Sequence, residues 1–154
     1  MVVEKQCVKN ILLWVLVLGL AAMWLMAGVN KLMDLSVFTE SITRFRLTDQ
    51  KIEKLWIPAA AVYLPWLEVV LAAAALLRPT RFAASFISLL LLMVFTAALI
   101  SAWARGLDIQ CGCFGDRLQL GHIKWGVVRN LGLMVWVVGL LILNQQTDIT
   151  RSEA

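Results

Sequence analysis

Charge is scarce in this chain. Only 16% of its 154 residues are Asp, Glu, Lys or Arg, while 61% are hydrophobic, against averages of about 25% and about 45–50% in soluble domains. That balance excludes an ordinary water-soluble domain and matches a membrane protein. The net charge of +4 is spread over tail and loops, with no run of about five or six like charges, so nucleic-acid binding gains no support. No internal repeat is evident. A clear small-x-small cleavage site is also lacking, and the first apolar run, Ile11 to Val29, exceeds the roughly 7–15 residues of a signal-peptide core. We read it as a retained anchor. Histidine occurs once, as His122, and cysteine three times.

What the chain has in plenty is long apolar runs. Four of them, Ile11 to Val29, Ile57 to Leu77, Phe82 to Trp103 and Trp125 to Leu143, each approach the ~20 residues that a helix needs to cross a hydrocarbon core. Backbone groups find no water there, so the runs must be helices. The expected fold is an all-α membrane protein: one integral membrane domain over residues 1–154, a four-transmembrane-helix bundle with an amphipathic interfacial helix after the first span. Leu35, Phe38, Ile42 and Phe45 set the apolar side of that helix, interrupted by Glu40 and Arg44. Pro58 fits the first turn of the second span and Pro65 should kink it. Arg78-Pro-Thr-Arg81 is a minimal turn. The polar tail from Asn144 to Ala154 is expected to fray.

Four crossings put both termini on one side. The opposite side then holds the first connection and a polar loop, Ala104 to Lys124, bounded by Trp103 and Trp125. Together with Trp56 these form the aromatic belt expected at a membrane boundary. Gly132 and Gly139, seven apart on one helical face, and Gly19, Ala22 and Ala72 to Ala75 offer small surfaces for helix packing. Trp14, Trp24, Trp66 and Trp136 read as lipid-facing or core residues, with a flat cofactor such as a quinone as the alternative use.

The polar loop contains Cys111-Gly112-Cys113-Phe114-Gly115. Two cysteines one glycine apart, with a second glycine following, can be brought within bonding distance. A disulfide across one residue closes a tight ring and should exchange readily. Arg105, Arg117 and Lys124 lie near in sequence and would lower a thiol pKa if folded toward it. Cys111 and Cys113 are therefore the candidate catalytic pair. Two other uses stay open: a clip that pins the loop, or a soft-metal site of the Cu(I) kind with His122 as a further ligand. Asp108 and Asp116 flank the pair, but the spacing matches no common zinc pattern.

Glu68 is the other informative residue. It stands deep in an apolar segment, where an isolated carboxylate costs several kcal/mol, so it needs a partner. Lys31, just past the first span, is the leading candidate and Arg129 the second; Asn30 and Asn130 would complete a polar cluster at the bundle mouth on the cysteine side. That cluster serves either as a structural ion pair or in proton handling or ligand binding.

Orientation is contested by two signals. Nine basic residues (Lys31, Arg44, Arg46, Lys51, Lys54, Arg105, Arg117, Lys124 and Arg129) fall on the side of the cysteine loop, against five (Lys5, Lys9, Arg78, Arg81 and Arg151) on the other. The positive-inside rule would then place the loop in the cytoplasm. Disulfides belong to oxidising compartments, and Lys5 and Lys9 flank the first helix. We expect the cysteines outside and both termini in the cytoplasm, leaving Cys7 across the membrane from the pair.

Gly28-Val-Asn-Lys31, then Phe38, Ile42 and Phe45, and Tyr63-Leu-Pro-Trp-Leu-Glu68 resemble the DoxX-like superfamily of small four-helix membrane proteins. Cys111-Gly-Cys-Phe-Gly115 with Trp125-Gly-Val-Val-Arg129-Asn130 resembles, more narrowly, the methylamine utilisation protein MauE family. The resemblance implies a bacterial inner-membrane protein with a periplasmic cysteine loop, acting in maturation of a disulfide-rich enzyme together with a thioredoxin-like or other cysteine-bearing partner. It carries over to Cys111, Cys113, Phe114 and Gly115, and less closely to Lys31, Glu68, Arg129 and Asn130. A second cysteine pair, as larger membrane disulfide oxidases have, is absent. The resulting expectation is a thiol-disulfide oxidoreductase or an accessory to one, with a quinone or another protein as electron acceptor. Its rivals are a soft-metal carrier and a non-enzymatic assembly subunit.

Overall fold

The computed structural model describes residues 2–44, 50–106 and 123–152. Five helices account for nearly all of them: α1 (Val2–Met33), α2 (Leu35–Arg44), α3 (Gln50–Leu76), α4 (Arg81–Ala104) and α5 (Ile123–Ser152). Four are long and apolar enough to cross a membrane, over Cys7–Met33, Trp56–Leu76, Arg81–Ala104 and Trp125–Gln146. The chain is thus an all-α multi-pass membrane protein, with a short helix after the first span. Phe45 and residues 107–122 lie outside the described residues.

The helices extend past the apolar runs that define them. At 32 residues, α1 is about 48 Å long, well beyond a hydrocarbon core of about 30 Å. Helix α5 continues to Ser152, so the tail expected to fray from Asn144 is helical. Nothing in Asn144 to Ser152 is Gly or Pro, and the backbone bonds simply propagate. Helix α3 likewise begins at Gln50 and runs through both Pro58 and Pro65. Pro58 is therefore interior to the helix, while standing in the first turn of the span Trp56–Leu76, and the helix continues through Pro65.

The four spans form a ring. Helix α1 packs on α3 and α5, and α4 packs on the same two; neither diagonal pair brings its backbones together. A central cluster of Leu20, Trp24, Ala72, Leu92 and Val137 draws one or more residues from every span. Nearer the termini, Leu13 and Val17 meet Leu140, and Leu71 and Ala75 meet Ala84. Outward faces are apolar too: Tyr63 and Val135 are each 74% exposed, with Trp66, Val94 and Leu131 among many others. Such a surface is incompatible with water and suits lipid. Of the tryptophans, Trp24 is core while Trp14, Trp66 and Trp136 face outward.

Close packing falls on glycines other than the pair singled out by spacing. A Cβ on Gly132 or Gly139 would meet nothing within 4 Å, so these residues do not mediate packing among the described residues. A Cβ on Gly28 would lie 2.9 Å from the Pro65 carbonyl oxygen. Gly28 is the point where α1 and α3 approach. Of the other small surfaces, Ala72 and Ala75 are buried, and Ala22 is exposed.

Two connections are explained by hydrogen bonding. The Thr80 hydroxyl donates to the Ala74 carbonyl at 2.8 Å, and the Arg81 guanidinium donates to the carbonyls of Ala75 and Leu76 at 3.2 and 3.4 Å. The first residues of the α4 region thereby satisfy the terminal carbonyls of α3, which lets so short a turn join them. Just past the end of α4 stands Gly106, with φ +68°, whose N–H donates to the Trp103 carbonyl at 3.0 Å. Glycine adopts this left-handed geometry without Cβ strain.

Candidate functional site: a buried ion pair at the mouth of the bundle

Lys31 lies in the last turn of α1 and Glu68 far inside α3. The Lys31 ammonium donates to Glu68 Oε1, pairing the carboxylate with the leading candidate of the two cations considered. Both are interior groups, Lys31 at 3% and Glu68 at 0% exposure. The ammonium also faces the rings of Phe38 and Phe95, each 5.2 Å from ring centroid to Nζ. Desolvated cation–π contacts of this kind contribute up to about 2 kcal/mol.

Each element has a stated part in this arrangement. Gly28 lets α1 approach α3 one turn before Lys31. Helix α2 turns Phe38 inward, with Leu35 and Ile42 half-buried on the same side, while Glu40 and Arg44 pair in solvent at 2.9 Å. The amphipathic helix after the first span thus places Phe38 over the lysine. Helix α4 contributes Phe95, and α5 brings Arg129 and Asn130.

A small cavity adjoins the pair. It is lined by Met23, Trp24, Ala27, Lys31, Glu68, Leu92, Phe95, Arg129, Asn130 and Leu133, with a volume of about 20 Å³. A single water needs roughly 10–15 Å³ by this measure. A quinone ring does not fit it, so no step is derived through that cofactor here. Asn130 is buried, Arg129 is half-buried with its Nε enclosed, and Asn30 is half-buried beside Lys31 but outside the cavity lining.

The remaining candidates are placed less fully. Cys111, Gly112, Cys113, Phe114, Gly115, Arg117 and His122 lie outside the described residues, as do Asp108 and Asp116. Their helical brackets are described: α4 ends at Ala104 and α5 starts at Ile123. The chain order of an up-and-down ring puts those ends at the same mouth as Lys31. Arg105 is exposed, and its Nε donates at 3.0 Å to the Ser101 carbonyl of its own helix. Cys7 is an exposed free thiol near the start of α1. Among the described residues, no three His, Cys, Asp or Glu side chains group as metal ligands.

Trp24, Phe38 and Phe95 were not singled out as site residues by sequence. Trp24 stands seven residues before Lys31, the helical interval that places both on one face, and this was the available signal for it. A further contact was also unforeseen. The Arg81 guanidinium, almost wholly buried, stacks on Trp14 at 4.5 Å and so crosses the diagonal from α4 to α1.

Comparison with known proteins identifies a family for the chain. The family model described as methylamine utilisation protein MauE matches residues 9–143. A curated relative, the methylamine utilization protein MauE of Paracoccus denitrificans, is 30% identical over 128 residues, covering 82% of this chain and 66% of the relative. The chain therefore spans a little under two thirds of that relative's length in the aligned region. No solved structure matches it. Matched across all four spans and the loop between the last two, the chain belongs to the MauE family.

Proposed function

We propose that this protein is an inner-membrane thiol-disulfide exchange protein, or an accessory to one. In this reading Cys111 and Cys113 form a disulfide on the periplasmic side and exchange it with a thioredoxin-like or other cysteine-bearing partner. The observation that carries the reading is the Cys111-Gly112-Cys113 spacing in a loop held between two spans. A partner thiolate attacks one sulfur and forms a mixed disulfide, releasing the other as thiolate. A second partner thiolate then attacks the mixed disulfide, which leaves the partner with a disulfide and Cys111 and Cys113 as a dithiol; a further disulfide-bearing protein reoxidises that dithiol by the same exchange. The family's association with methylamine utilisation supports an accessory role in maturing a disulfide-containing protein.

Burial of basic residues eases the conflict over orientation. Lys31 is withdrawn into the bundle and Arg129 lines its cavity, which removes two of the nine basic residues from the count for the cysteine side; Arg81 is withdrawn from the other. The remaining bias is smaller, and Lys9, just before the apolar run that starts at Ile11, favours a cytoplasmic N-terminus.

Thiol trapping tests the proposal directly. In intact cells, a membrane-impermeant alkylating reagent should label Cys111 and Cys113 only after reduction. Cys111→Ser or Cys113→Ser should abolish function while leaving membrane insertion intact, and one of the two should accumulate a mixed disulfide with the partner. Labelling only after permeabilisation, and without prior reduction, would place the thiols inside and reduced. Full function in both single variants would leave the pair as a clip, and stoichiometric Cu(I) binding by the reduced pair would assign it to metal.

A further inference from the structure

Hydroxyls on helices commonly settle on their own backbone. Thr39, Ser41, Thr43 and Thr96 each donate to the carbonyl four residues earlier, at 2.7–2.9 Å. Ser85 and Ser88 do not. Both are 0% exposed, and neither Oγ has a hydrogen-bond partner among the described residues. The same is true of the Trp24 indole N–H, which belongs to a residue lining the cavity beside Glu68. Buried polar atoms without protein partners are the usual anchors of internal water.

Helix geometry sets these three groups in order along the bundle axis. Ser85 and Ser88 follow Arg81 by four and seven residues, so all three share one face of α4, the serines about 6 and about 10 Å further along the axis. The stacking of Arg81 on Trp14 fixes how α4 stands against α1 at the end bearing the termini. Trp24 is ten residues beyond Trp14, about 15 Å along a parallel axis, and it packs with Leu92, one turn past Ser88. The serine stripe therefore climbs from the Arg81 end to one turn below Leu92, which belongs to the same buried cluster as Trp24. Beyond the indole is a cavity with room for one water, bounded by Glu68 and Lys31.

We propose that the bundle interior binds a file of water molecules, running from Arg81 past Ser85 and Ser88 to the cavity at Trp24 and Glu68. Each serine offers a donor and an acceptor, and the indole supplies a donor; a water accepting from Trp24 can donate onward to the Glu68 carboxylate. The file gives the buried ion pair contact with water on the face that carries both termini, opposite the cysteine loop. The inference stands apart from the thiol chemistry, because its test uses a chain without native cysteines.

Silver ion reacts with thiols that narrow water paths can reach. In the full chain with Cys7, Cys111 and Cys113 replaced by serine, Ser85→Cys, Ser88→Cys and Ala84→Cys would be treated with Ag⁺ in membranes. Remaining thiols are then counted after denaturation. Ala84, on the same helix as the serines, is the dry reference, buried against Leu71 and Ala75 of α3. All three changes are small, and gel filtration in detergent selects folded protein. Ser85→Cys and Ser88→Cys should be blocked at least tenfold faster than Ala84→Cys. Equal rates at all three positions would overturn the file. Fast reaction at Ser88→Cys with none at Ser85→Cys would overturn the path to the terminal face, since water would then enter only from the other mouth.

Discussion

Replacing Lys31 with alanine is expected to cost about 3–5 kcal/mol of folding stability, the range for removing one partner of a buried ion pair. The size follows from what remains. Glu68 is fully enclosed, and the ammonium that accepts its charge also fills the space between Phe38 and Phe95. Loss of Lys31 therefore removes a counter-charge and two ring contacts together. Lys31→Met combined with Glu68→Leu should recover most of the stability, because apolar residues of similar volume often replace a buried pair at no net cost. Unfolding in mixed micelles with rising SDS content measures both. A single variant within about 0.5 kcal/mol of the parent would show that the pair contributes no more than a surface contact. A double variant that is stable yet inactive would assign the pair a part in function beyond holding α1 to α3.

Gly28→Val is expected to destabilise by about 1–3 kcal/mol, the usual cost of overfilling a packed interior. Even the first carbon of the new side chain would stand 2.9 Å from the Pro65 carbonyl oxygen, 2.9 Å from Val69 Cγ2 and 3.3 Å from Glu68 Cβ. The first of these is backbone and cannot swing aside. The helices must separate at the level of the ion pair, so the Lys31 contact with Glu68 loosens as well. Gly132→Ala provides the opposite sign: its Cβ enters open space, and helix propensity alone favours it by about 0.5–1 kcal/mol. Parallel SDS titrations would show one midpoint falling and the other holding or rising. A fall at Gly132 instead would mean that a partner occupies that face in the membrane.

How much of this was legible depended on how strongly one physical requirement ruled each residue. The spans were readable because lipid offers the backbone no alternative to a helix, and the pairing of Glu68 with Lys31 because a lone carboxylate in lipid needs a cation nearby. Helix ends were not. No rule stops α1 or α5 where hydropathy falls, and the polar flanks Val2 to Asn10 and Asn144 to Ser152 lack the Gly or Pro that would end them. Spacing chose Gly132 and Gly139, yet spacing says only that two glycines share a face, not which face meets a neighbour. Arg81 was read as part of a turn and proves to be a buried link to Trp14, because a long side chain can reach back into a bundle from a boundary position.

The two halves of the ion pair enter the bilayer at different times. Lys31 arrives with the first span, at its end, where a long side chain can still reach the interface. Glu68 arrives with the second, near its middle, where an acidic residue weighs against insertion by about 3 kcal/mol. Helix α3 is therefore a poor membrane segment by itself and a good one beside α1. Insertion of the second span is conditional on the first having already placed its lysine and on Gly28 leaving room for the approach. A hairpin of α1 and α3 is thus the expected first stage of assembly, with α4 and α5 completing the ring, and an error in the first span is expected to show as a failure of the second.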